Sequence, residues 1–189
     1  MRWNGIDFGA KLAGTTAVTF LENNHLQTVQ SEKKKDADKF CNSQVTSLHP
    51  DFIMIDAPLS LPLAYFGKGD NYFYREADRE LKAMSPLFLG GLTARAIQLA
   101  AAWHKQNILV YECYPRMIAM RAFGLSSKNK IAMEQAIRTF LNQKGIGIAA
   151  QNFLTAHALD SVLAWISGYR LAQEAVIKTG NPFEGEIYT

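Results

Sequence analysis

The sequence predicts an α/β domain: a mixed five-stranded sheet of order 3-2-1-4-5 with helices on both faces. Three observations predict it. Phe52 to Asp56 and Ile108 to Cys113 are continuous apolar runs of strand length, the pattern of strands covered on both faces. Ahead of them lie three short strand-like segments, the last two joined by Asn23 and Asn24, which tolerate the positive φ of a tight hairpin. Helical patterns then separate the two buried runs and continue beyond the second, as crossovers between parallel strands require.

In chain order, residues 2 to 8 form the first strand and run into Gly9. Residues 14 to 21 and 25 to 30 complete an antiparallel meander. Ser31 to Leu48, rich in Lys and Asp, is a solvated helix whose Lys33, Lys34 and Lys35 mark its exposed face. After Phe52 to Asp56, Pro58 and Pro62 prevent either strand or helix from continuing, so Ala57 to Asp70 is a loop. Helices are expected over Tyr72 to Ala83 and Thr93 to Gln106, with Gly90 and Gly91 breaking the chain between them. Pro115 closes the last buried strand, and helices come next over Arg116 to Phe123 and Lys130 to Gln143. Asn152 is the expected N-cap of a final helix reaching about Lys178. The tail, Gly180 to Thr189, is punctuated by Gly and Pro and reads as a returning loop.

Composition narrows the class of protein. At 189 residues the chain has the length of one domain, and 48% hydrophobic with 20% charged residues is ordinary for a globular protein. Its apolar runs stop short of the roughly 18 residues a membrane helix needs. The N-terminal segment lacks an apolar export signal, so a soluble cytoplasmic protein is expected. Cys41 and Cys113 are the only cysteines and suit neither a zinc knuckle nor a disulfide framework; Cys113, in an apolar strand, is a core thiol. The net charge of +3 permits nucleic-acid binding without demanding it.

The chemistry sits on the acids. Asp7 ends the first strand, Asp56 the fourth, and Glu112 lies one residue from the end of the fifth. Parallel neighbours stand about 4.8 Å apart, so these carboxylates meet at the edge where ligands of open α/β sheets bind. A fourth acid, Asp160, interrupts the apolar final helix, and His157 three residues earlier shares its face. Gathered carboxylates repel unless a cation offsets them. An oxygen-rich, incomplete cage suits Mg²⁺ or Mn²⁺ held by Asp7, Asp56, Glu112, Asp160 and His157. Each residue alone has a plainer role. An Asp before Gly forms turns, Glu112 pairs with an arginine such as Arg116 or Arg95, and His157 packs through a hydrogen bond.

At these residues the chain resembles domain-of-unknown-function family 429, predicted nucleases of the ribonuclease-H-like superfamily. The matching blocks are Gly5 to Gly9, Ile55 to Pro62, Arg75 to Leu81, Tyr111 to Arg116 and His157 to Ser161, in family order along nearly the whole chain. The resemblance implies a ribonuclease-H-like sheet and an acidic site of Asp7, Asp56, Glu112 and Asp160. Many relatives carry an acid where this chain has His157. Arg75, Asp78 and Arg79 lie between the fourth and fifth strands, where they hold the Asp56 loop, meet phosphate or form a structural ion pair. Lys11, Arg75, Arg79 and Arg116 are the candidate phosphate contacts.

Three functions compete. The first is a metal-dependent phosphodiesterase or nuclease hydrolysing DNA or RNA, with nucleic acid as partner. The second is a nucleotide-binding protein of the actin, sugar-kinase and Hsp70 type, whose first phosphate loop also comes after Gly-Ile-Asp-Phe-Gly, with Lys11, Thr15 and Thr16 beyond it here. The third is a non-catalytic descendant with structural acids, a candidate homodimer; Leu87 to Leu89 and the aromatic cluster of Phe66, Tyr72, Phe73 and Tyr74 are expected in the core first, and between subunits as the alternative.

Overall fold

The computed structural model describes residues 1–125 and 129–189. Strand β1 (Trp3–Asp7) pairs antiparallel with β2 (Ala17–Glu22), which pairs antiparallel with β3 (His25–Gln30). The β2–β3 turn places Asn23 and Asn24 at φ 48° and 60°, the positive values a two-residue hairpin demands. Helix α1 (Ala37–Leu48) starts later than predicted. Ser31 still belongs to the meander, its N–H bonded to Thr16 O at 2.8 Å, and Lys34 turns the chain at positive φ. The Asp36 carboxylate then caps the helix by accepting from the N–H groups of Asp38 and Lys39. Ala37, Cys41 and Val45, spaced four apart, are its buried stripe.

Strand β4 (Phe52–Asp56) lies parallel to β1, in a register that sets Asp56 opposite Asp7. The loop beyond it contains one turn of 3-10 helix, Leu63–Phe66. Helix α2 (Glu76–Leu81) is shorter than the predicted Tyr72 to Ala83, because Arg75 is its extended N-cap and the Asp78 side chain takes the Arg75 N–H. A short helix α3 (Pro86–Leu89), started by Ser85 and Pro86, precedes α4 (Gly91–His104). Strand β5 (Leu109–Cys113) runs parallel to β4 and leads into α5 (Pro115–Phe123) and α6 (Lys130–Asn142). A two-residue strand β6 (Gly147–Ile148) pairs with β3.

The final helix, α7 (Ala156–Ala172), is capped by Thr155, whose hydroxyl accepts from Ala158 N–H, and not by Asn152. Asn152 is buried and donates to Leu26 O and Thr28 Oγ1 on β3. The tail expected as a loop is a hairpin, β7 (Lys178–Asn181) with β8 (Gly185–Tyr188), and β8 pairs parallel with β5. Gly180 and Gly185 sit at φ 108° and 115°, which only glycine adopts easily, so the residues that suggest a loop are those that let this hairpin close.

Among the described residues the sheet therefore has eight strands, in the order β6-β3-β2-β1-β4-β5-β8-β7, where five were expected. The predicted 3-2-1-4-5 order stands intact at its centre. An antiparallel meander continued by parallel strands, with helices on both faces, is the mixed α/β arrangement the sequence predicts. One face packs on α1 and α4 through Ile6, Ile53, Ile55 and Val110; the other packs on α5, α6 and α7 through Phe52, Met54 and Cys113. No helix among the described residues is long and apolar enough to cross a membrane.

Gly5 sets how closely α7 approaches β1: a Cβ there would collide with the backbone of Ser161 and Trp165. Gly5→Ala must lift the helix, and with it Asp160. The expected loss is about 1–3 kcal/mol, read as a lower urea midpoint at unchanged slope.

Candidate metal centre

Residues in register on parallel strands point to the same face, and successive residues alternate. Asp7 and Asp56 are in register, so both carboxylates project towards the α7 face at the carboxyl ends of their strands. Helix α7 crosses β1 above them and carries Asp160 and His157 on adjoining turns. His157 Nδ1 and Asp7 Oδ2 are hydrogen-bonded at 2.7 Å, the imidazole 39% exposed and the carboxylate 12%.

The electrostatics mark these acids out. Burial pushes the Asp7 carboxyl up to about 8, and the Asp160 charge adds to the rise. Burial also raises Asp56 well above the usual carboxylate range, helped by the charges of Asp7, Asp160 and Glu112. Asp160 rises to about 6, again through burial, with the His157 charge opposing. Among the described residues no hydrogen bond or basic side chain relieves Asp56, and only His157 relieves Asp160. Three acids are thus drawn together with their mutual repulsion largely uncompensated.

Glu112 is placed differently. It is in register with Ile55, one residue short of Asp56, so it projects to the opposite face of the sheet. There the guanidinium of Arg75 clasps it, Nη2 donating to Oε1 at 2.6 Å and Nη1 to Oε2 at 2.7 Å, while Leu59 N–H donates to Oε2 at 2.9 Å. Arg75 also binds Asp78 through Nε at 3.0 Å and Nη2 at 2.7 Å. Burial raises the Glu112 carboxyl and Arg75 opposes the rise; the two carboxylates beside Arg75 push its guanidinium further up. The expected partners were Arg116 or Arg95. Arg95 instead binds Asp38 and stacks over Phe8, and Arg116 is exposed.

The candidate phosphate contacts divide in the same way. Arg75 is fully buried, which corrects its assignment to phosphate. Lys11 Nζ lies 3.4 Å from Asp36 and 3.9 Å from Asp38, so the loop after β1 is tied to the start of α1. Gly9 N–H in that loop is taken by Thr16 Oγ1, a bond a phosphate loop would leave free. Arg79 and Arg116 remain exposed. Cys113 is buried, as its strand context predicts, and it lies beside the acids: burial and then the Asp56 charge raise it well above its usual range.

A cavity of about 230 Å³ is lined by Asp7 and Asp56 and also by Glu112 and Asp78, with Phe8, Met84, Leu89 and Tyr114 in its walls. Among the described residues no three His, Cys, Asp or Glu side chains stand close enough to enclose an ion by themselves. Mg²⁺ does not require that. It binds through one or two carboxylates and fills its remaining positions with water and phosphate oxygens. Asp7, which keeps one oxygen clear of its bond to His157, and Asp56 on the neighbouring strand fit that pattern.

No family model matches the chain, so the resemblance to family 429 rests on the motif blocks alone, and no curated protein matches it. Among solved structures the chain is similar to Thermus thermophilus RuvC, at 14% identity over 93% of this chain and 98% of that one, TM-score 0.49. It is also similar to the yeast mitochondrial Holliday junction resolvase Ydc2, at 14% identity over 87% of this chain and 77% of that one, TM-score 0.47.

Proposed function

We propose that this chain is a divalent-cation-dependent phosphodiesterase acting on nucleic acid. The observation that carries the proposal is Asp7 and Asp56 at the carboxyl ends of neighbouring central strands with Asp160 beside them on α7, a set of raised carboxyls for which His157 is the one basic neighbour among the described residues. Carboxylates taken out of water are ordinarily paired, and a set with so little positive charge beside an open cavity suits a cation. Mg²⁺ or Mn²⁺ bound there supplies positive charge that eases deprotonation of water and offsets the charge on phosphate oxygens. Asp7 and Asp56, on neighbouring strands, would hold that cation, with the Asp160 charge beside them on α7. His157 keeps Asp7 in position through Nδ1, which leaves Nε2 to exchange a proton with solvent or substrate. The exposed Arg79 and Arg116 are available to the phosphate backbone.

Incubation of the full chain with end-labelled single- and double-stranded DNA and RNA in millimolar Mn²⁺ tests the reading. The expected result is cleavage of at least one substrate that EDTA stops. A folded, Mn²⁺-loaded protein that leaves every substrate intact removes the proposal.

A further inference from the structure

We propose that the groove between the carboxyl ends of α6 and α7 binds a nucleoside phosphate, free or within a strand, through Lys144, Arg170 and the ring of Phe140. Arg170 stands ten residues beyond Asp160 on α7, roughly 15 Å away at 1.5 Å per residue. The groove is thus separate from the acidic cavity and does not depend on the phosphodiesterase reading. Its volume is about 260 Å³, close to the roughly 300 Å³ at which pockets for small ligands begin. Phe140, Lys144, Tyr169, Arg170, Gln173 and Ala175 line it, two cations and no acid. Among the described residues neither cation has a carboxylate partner. Arg170 Nη2 donates to Ala175 O at 2.8 Å, whereas its Nε–H is buried with no acceptor among the described residues. A guanidinium donor left in that state is costly, and an incoming oxygen removes the deficit.

Phe140 gives the groove an aromatic surface. Tyr169 and Phe123 pack against it in T-shaped geometry, with centroids 5.5 and 5.9 Å away, so its orientation is fixed, and Lys144 Nζ stands 6.0 Å from its centroid. A plainer role for these cations is to offset the helix dipoles, since Arg170 is in the last turn of α7 and Lys144 lies two residues beyond α6. Each helix end carries roughly half a negative charge, so the two ends account for about one of the two positive charges. The other is left over. Phosphate meets it with charge-assisted hydrogen bonds from the guanidinium and the ammonium, and a nucleobase stacks on the ring beside them. An inorganic anion would leave the ring unused and an apolar molecule would leave the cations unused; a nucleoside phosphate engages both.

Calorimetric titration of the full chain with adenosine 5′-monophosphate tests the site, in EDTA to keep divalent ions out of the acidic cavity. Saturable binding of one nucleotide per chain is expected. Lys144→Glu, a change at an exposed position, weakens it by about tenfold or more, and Phe140→Leu, which keeps an apolar contact without the ring, by about fivefold. Inorganic phosphate and adenosine, titrated separately, each bind at least about tenfold more weakly than the nucleotide. A short single strand of DNA then separates the two sources, and either result upholds the site. A strand that displaces the mononucleotide places a nucleic acid in the groove, and one that does not marks a site for the free nucleotide. No binding at millimolar nucleotide, inorganic phosphate bound as tightly as the nucleotide, or binding unchanged in folded Lys144→Glu each overturn the proposal and leave the phosphodiesterase reading in place.

Discussion

Asp7→Asn melts at a higher temperature than the wild type at about pH 8 and loses cation-dependent cleavage. The stability change arises from linkage. The Asp7 carboxyl is raised from 3.8 to about 8 on folding, so between those values the folded chain keeps a proton that the unfolded chain has released. The stability that protonated Asp7 allows is fully present below pH 4 or so, is lost as pH rises through the interval, and changes no further above about pH 8. At about 1.4 kcal/mol per pKa unit the upper bound is about 6 kcal/mol, which water entry and local relaxation reduce to a few kcal/mol. Asparagine carries no charge and escapes that loss. The expected rise in Tm is roughly 5 °C at pH 8, shrinking towards zero near pH 4. Added Mg²⁺ narrows the gap by stabilising only the wild type, by about 2.7 kcal/mol at a hundred times its Kd. Cleavage falls by about 10³-fold, since a cation's charge stabilisation is worth several kcal/mol in the transition state. Calorimetric scans across pH with and without Mg²⁺, beside a Mn²⁺ cleavage assay, check both halves. A lower Tm for Asp7→Asn at pH 8 would show that the carboxylate is a structural partner of His157 instead.

Arg75→Met is expected to be the most destabilising substitution in the chain. It leaves Glu112 and Asp78, both buried, without their shared cation. Breaking a buried ion pair by removing one partner costs about 3–5 kcal/mol. For a domain of this size that lowers Tm by about 10 °C or more. Urea unfolding monitored by circular dichroism measures it. Arg75→Lys recovers only part of the loss, because one ammonium cannot make the paired guanidinium contacts to both carboxylates. A melting temperature unchanged in Arg75→Met would mean that the two acids take up protons when the arginine is gone, and Glu112 would then be free of its clamp.

Much of the fold was legible because period and length speak locally. The apolar runs of β4 and β5, the Asn23-Asn24 turn and the order of helices between strands are properties of short segments. They led to the five central strands in their observed order. Strand β6 escaped because two residues carry no periodicity. The β7–β8 hairpin escaped because Gly180, Pro182 and Gly185 carry the composition of a loop, and only the free edge of β5 makes a strand of Gly185–Tyr188. Helix α7 began at Thr155 because Asn152 found partners on β3, more than a hundred residues away in sequence.

The sequence by itself determined that Asp7 and Asp56 end neighbouring parallel strands and that Asp160 and His157 share one face of the last helix. Those statements need only the twofold alternation of a strand and the turn of a helix. Tertiary structure alone decided that Glu112 belongs to the other face and that Arg75 is the arginine that holds it. One residue of register reverses the side to which a strand residue points, and register is set by packing across the whole sheet. Which cation meets a buried acid is likewise settled where distant segments meet, since a charge sunk in the interior binds whatever donor the assembled fold brings within reach.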